Sequence, residues 1–318
     1  MEHFRQAAGN DCDPGEPNGS GAHETSPTVR EMRKLRRFLV IPVLFALALT
    51  AACGEDHHGD VVRIGVNDLA QPHWDVFKRK AAAAGITVEF TNFTDYNQPN
   101  PALSQGRIDL NKFQHIRYLA NYNARNNDTL VPIGATEVYP LGLYSKKHHA
   151  VGEIPQGGEI TLSNNPANQV RPLLNLAAAG LIVLRGGGSW DSKLEDVDKA
   201  ASKVRLTTID PTLTAASLDS VDAAYVDDTW ARQAGLTNDQ IIYTDDPNRP
   251  DLKQYINIFA ARAADKDNPK YLRLVEIYHD PEVEAAIKAE AGFQGIFKTN
   301  TAADLQATAT ELETKFRQ

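Results

Sequence analysis

The 318-residue sequence predicts an α/β protein of two lobes, on three observations. From Val61 onward, short β-rich runs alternate with helical stretches, the pattern that builds largely parallel sheets. Two apolar runs, residues 139–145 and 255–262, bracket a middle section that has strands and helices of its own. The body after Cys53 has no second cysteine and so no disulfide framework. Its roughly 265 residues must build a core, and suffice for one large domain or two ordinary ones.

Residues 61–66 (Val-Val-Arg-Ile-Gly-Val) read as the first strand, 74–84 as helix by composition, and 86–90 (Ile-Thr-Val-Glu-Phe) as a strand alternating at period two. Further strands are expected at 108–110, 130–133, 139–144, 160–163, 204–209, 223–226 and 255–260, with helices notably at 168–179 and 229–234. Residues 61–145 and 253–318 then form one lobe and 146–252 the other. A chain that crosses twice between lobes leaves a cleft where a ligand can bind and closure can act.

Ahead of this body, Met32-Arg33-Lys34-Leu35-Arg36-Arg37 precedes an apolar run over 38–52. Such a run is short of the roughly 20 residues a membrane helix needs, so 32–52 reads as a signal peptide. It ends in Leu49-Thr50-Ala51-Ala52-Cys53-Gly54, which resembles a bacterial lipobox and makes Cys53 the expected site of lipidation. Residues 1–31 are rich in Gly, Pro, Ser, Asn and Glu and read as disordered or as a non-native extension, and 53–60 as a tether.

The net charge is −8, and it stays −8 without residues 1–52, which carry six charges of each sign. No basic surface for nucleic acid is indicated. His57-His58 and Lys146-Lys147-His148-His149 lack further ligands at metal spacing, so no metal site is assigned. Gly186-Gly187-Gly188-Ser189-Trp190 lacks the lysine and spacing of a phosphate loop and reads as a turn. No cofactor is expected, and no nucleophile elbow or other catalytic motif points to an enzyme.

Residues 95–103 (Asp-Tyr-Asn-Gln-Pro-Asn-Pro-Ala-Leu) and 106–119 (Gly-Arg-Ile-Asp-Leu-Asn-Lys-Phe-Gln-His-Ile-Arg-Tyr-Leu) closely resemble paired segments of the NlpA family of methionine-binding lipoproteins. The resemblance continues through 138–147, through Asn164-Asn165-Pro166-Ala167-Asn168-Gln169-Val170-Arg171, and through 255–258. It implies a type II periplasmic-binding-protein-like fold with two hinge-crossing strands. It also implies an extracytoplasmic, lipid-anchored protein that hands methionine or a similar small amino acid to an ABC permease and its ATPase subunit. Other small amino acids, a methionyl dipeptide or a sulfur-containing organic anion are the alternative ligands, and an exported enzyme on the same fold is the remote one.

The resemblance places Tyr96, Phe113, His115 and Tyr118 around the ligand side chain, where flat, polarisable rings suit a thioether. Arg171, in the first turns of a helix, is expected to grip the α-carboxylate through two parallel hydrogen bonds. Asn257 matches a second ligand-contacting asparagine. Asp227 stands where the family usually has Asn, and Trp230 where it has Tyr. A carboxylate at 227 would hold the ligand ammonium more strongly than an amide, and would compete for Arg171. Arg117, in place of Pro, is expected to face solvent.

Overall fold

The computed structural model describes residues 61–318; the extension at 1–31, the signal segment at 32–52, Cys53 and the tether at 53–60 lie outside the described residues. In chain order the elements are β1 (Val61–Val66), α1 (His73–Ala83), β2 (Thr87–Asn92), α2 (Pro99–Ser104), β3 (Leu110–His115), α3 (Ile116–Asn126), β4 (Leu130–Ala135), β5 (Glu137–Val138) and β6 (Gly142–Tyr144). Then come β7 (Glu159–Ser163), α4 (Val170–Ala178), β8 (Arg205–Ile209), α5 (Thr214–Ser217), β9 (Ala223–Tyr225), α6 (Asp228–Gln233) and β10 (Ile241–Thr244). The chain ends with β11 (Asn257–Arg262), α7 (Pro269–Tyr278), α8 (Pro281–Lys288), β12 (Ile296–Phe297) and α9 (Ala302–Phe316). Among the described residues no helix is long and apolar enough to cross a membrane.

Two five-stranded sheets organise these elements, in the orders β2-β1-β3-β11-β4 and β10-β6-β9-β7-β8, and β12 pairs with β5 in a separate ribbon. The sheets are mixed rather than largely parallel. β1 runs parallel to β2 and β3, but β11 is antiparallel to both β3 and β4; likewise β7 is parallel to β8 and β9, while β6 and β10 run antiparallel. The reason lies in the chain path. β11 re-enters the first sheet after the chain has passed through the whole second sheet, and it arrives from the opposite end.

Period-two alternation divides β11 between two cores. In β11, Phe259 and Ala261 enter a cluster with Trp74, Phe77, Leu274 and Tyr278 from α1 and α7, whereas Ile258 and Ala260 join Leu119 of α3 and Leu305 of α9 on the other face. The second sheet is covered in the same way, by Leu173 and Leu176 of α4 on one side and by Ala215, Trp230 and Ala231 of α5 and α6 on the other. Gly134 of β4 is needed small, because a Cβ there would lie 2.2 Å from a methyl of Val275.

Arg117 is not at the surface. Only 2 % exposed, it donates through Nη1 to Gln254 Oε1 at 3.0 Å and lies 5.0 Å from the centre of the Phe316 ring. The long aliphatic stem and flat guanidinium allow it to be buried against the aromatic face of α9 while one N–H keeps a partner. The 146–149 run is tied to the segment that precedes β9: Lys146 pairs with Asp219 at 2.6 Å and His148 Nε2 meets Asp222 Oδ1 at 2.9 Å. Gly186, Gly187 and Gly188 all have positive φ, as the turn reading expects.

Candidate ligand-binding site

Between the two sheets lies a cavity of about 120 Å³. Tyr96, Phe113, His115, Tyr118, Arg171, Asp227 and Asn257 all line it. Elements of both sheets contribute: β3 supplies Phe113 and His115, β11 presents Asn257 opposite His115 in register, α4 carries Arg171, and Asp227 caps α6.

The aromatic wall is self-supporting. Tyr96, Phe113 and Tyr118 pack with centroids 5.7–6.3 Å apart, two of the three pairs edge to face, and Trp230 backs Tyr96 at 5.4 Å. The Tyr118 hydroxyl donates to the Tyr96 carbonyl at 3.0 Å, which fixes the irregular segment that carries Tyr96. His115 is held at both nitrogens. As the N-cap of α3, its Nδ1 accepts from the Tyr118 N–H at 3.0 Å, so Nε2 carries the proton and donates to Asn168 Oδ1 at 3.2 Å. Burial, with Arg117 and Arg171 nearby, pushes its pKa down to about 3, so the ring is neutral at physiological pH.

Arg171 departs from expectation. Its Nε and Nη2 form a bidentate pair with Asp245, at 2.6 and 2.7 Å, and Nη2 also donates to the Tyr139 carbonyl at 2.9 Å. The parallel edge that a ligand carboxylate would need is therefore closed, which leaves Nη1 as the guanidinium nitrogen without a partner among the described residues. Asp245 also accepts from the Leu141 N–H and the Asn175 amide. Although burial alone would raise its pKa, Arg171 and these donors hold it below the ordinary carboxylate value.

Asp227 does not compete for that arginine. Its Oδ2 accepts from Asn168 Nδ2 at 3.4 Å, and burial, only partly offset by Asn168 and Arg171, raises its pKa to about 6. Asn168 thus bridges the sheets, taking the His115 proton on its oxygen and offering its amide to Asp227. Asn257 donates to the Glu137 carbonyl at 3.3 Å.

Beyond these residues the cavity has a charged wall that the sequence reading did not single out: Asp68, Lys112, Glu137, Asp228 and Arg232. Lys112 Nζ bonds Glu137 Oε1 at 2.8 Å, and Glu137 Oε2 accepts from the Tyr278 hydroxyl at 2.9 Å. Arg232 joins Asp228 at 2.8 Å and reaches across to Glu290, which also bonds His73. The one available signal was Lys112 itself, a charged residue in the middle of a strand.

The profile of the NlpA lipoprotein family matches residues 62–299. The chain belongs to the NlpA lipoprotein family. A Haemophilus influenzae relative described as a probable D-methionine-binding lipoprotein MetQ is 33% identical over 260 residues, which cover 79% of this chain and 94% of that protein. The substrate binding protein of a methionine transporter from Streptococcus pneumoniae is 32% identical and superposes with a TM-score of 0.70, over 75% of this chain and 95% of that one. A nutrient binding protein from Burkholderia cenocepacia, solved bound to methionine, is 30% identical with a TM-score of 0.68, over 74% and 99% of the two chains.

Proposed function

We propose that this NlpA-family chain captures methionine, or a closely similar small amino acid, between its two sheets and delivers it to an ABC permease and its ATPase subunit. The observation that carries the reading is the convergence on one cavity of an aromatic wall, an arginine Nη1 and a buried carboxylate. These suit, respectively, an apolar side chain, an α-carboxylate and an α-ammonium. The methionine named for several relatives supports the choice of side chain. Calorimetric titration of the unliganded protein against the free standard amino acids tests it: methionine should bind best, and a preference for Asp, Glu, Lys or Arg would sink the reading.

Asp227 gives this capture a pH dependence. An ammonium is best held by the ionised carboxylate, and a pKa raised to about 6 means that below that value a proton must leave on binding. Affinity should therefore rise with pH between about 5 and 7, approaching tenfold per unit at the acid end. His115, neutral down to about pH 3, adds nothing in this window. Asp227→Asn should flatten the profile. An unchanged profile in that variant would move the titrating group elsewhere.

The reading includes a lipid anchor at Cys53 on the extracytoplasmic face of the cell membrane, supported by the lipoprotein descriptions of the relatives. Cys53→Ala should shift the protein from the membrane fraction to the soluble fraction. Recovery of the unaltered protein in soluble form, starting at another residue, would remove the anchor.

A further inference from the structure

We propose that the aromatic wall accepts a methionine-type amino acid whose side chain carries a fixed positive charge, an S-alkylated sulfonium, in preference to the neutral thioether. This rests on the amino-acid reading of the same cavity and narrows it to a charge class.

The charges around the cavity do not balance for a zwitterion. Each lining cation is already engaged: Lys112 with Glu137, Arg171 with Asp245, and Arg232 with both Asp228 and Glu290. Two lining carboxylates have only neutral donors. Asp227 takes the Asn168 amide, and Asp68, 4 % exposed, takes the Trp74 indole N–H at 2.8 Å on Oδ1, while its Oδ2 has no partner among the described residues. A ligand ammonium would offset Asp227, but the ligand carboxylate adds a negative charge at Arg171, and Asp68 keeps no cation hydrogen-bonded to it.

Asp68 and Asp228 line the same cavity as Tyr96, Phe113 and Tyr118. Besides burial, the groups that disfavour ionisation of the Tyr96 hydroxyl are Asp227, Tyr118, Asp228 and Asp68, in that order. A thioether beside Tyr96 gains little from these carboxylates. A sulfonium there gains from them and also meets the ring faces of Tyr96, Phe113 and Tyr118, which attract cations through their quadrupoles. It differs from a lysine ammonium in having no N–H, so burial against carbon faces leaves no donor unsatisfied.

The test is calorimetry on the full chain in detergent with methionine, S-methylmethionine and methionine sulfoxide of the same hand. The sulfoxide also adds one heavy atom to the sulfur but no net charge, so it controls for size. S-methylmethionine should bind about three- to thirtyfold more tightly than methionine, the span from an exposed to a desolvated cation–π contact, and the sulfoxide no more tightly. Asp68→Asn or Asp228→Asn should bring the ratio of the two affinities toward one. Equal or weaker binding of the sulfonium by a wild-type protein that binds methionine overturns this proposal alone, as does a ratio that survives both substitutions. Failure of all three ligands to bind overturns the amino-acid reading, and this proposal with it.

Discussion

Arg171→Ala is expected to weaken methionine binding by about 2–5 kcal/mol, roughly thirtyfold to a few thousandfold in Kd. That is the range for truncating one partner of a buried charge pair. The structure adds a second effect. Removing the guanidinium also strips Asp245 of its bidentate partner and leaves it only the Leu141 N–H and the Asn175 amide. The single variant should therefore lose stability as well as affinity. Arg171→Ala combined with Asp245→Asn separates the two, because the neutral amide can stay buried without a cation: the thermal midpoint should recover while binding stays weak. Titration calorimetry and thermal denaturation read the two effects independently, and normal binding by Arg171→Ala would misplace the pocket.

Glu137→Gln and Lys112→Met are each expected to cost about 3–5 kcal/mol of folding stability. Glu137 is fully buried and Lys112 nearly so, and each holds the other's charge in a medium that would not tolerate it alone. Burial works against the Lys112 charge, yet Glu137 and Asp68 outweigh it and raise its pKa, so Lys112 stays charged in the folded state. The double replacement Lys112→Met with Glu137→Leu should recover much of the loss, because well-packed apolar groups of similar volume often match a buried ion pair. It leaves the Tyr278 hydroxyl to find a new partner, so recovery will be incomplete. Urea denaturation of the three variants measures this; single variants within 1 kcal/mol of wild type, against the expected cost, would show that water reaches the pair.

Where side chains alternate by polarity, the strands were legible: 61–66 is β1 as read, and the expected strand at 160–163 falls within β7. The strand expected at 108–110 is instead Leu110–His115, because Asn111, Lys112 and Gln114 are buried there without being apolar. Asn100, Asn111 and Gln114 satisfy one another through side-chain hydrogen bonds, and Glu137 satisfies Lys112. No periodicity argument sees a strand whose inward positions are polar, since the partners that make burial tolerable come from other elements. That the expected ligand-binding residues line one cavity was readable through motifs rather than through pattern. The Asp245 that closes one edge of Arg171 is 74 positions away, and nothing local to either residue announces the pair.

β11 sits between β3 and β4. Its partners are more than a hundred residues upstream: Asn257 faces His115, and Arg262 faces Leu130. During synthesis or refolding, the first sheet therefore keeps a gap between β3 and β4 until the entire second sheet has been made and the chain has returned. Loop closure over that separation must be met before any of the ladder bonds form, so contact order places completion of this sheet among slow, millisecond-to-second events. Until then β3 has one unpaired edge and β4 has no partner in the sheet, and a chain halted before residue 257 should show amide protection in the second sheet but little in β4.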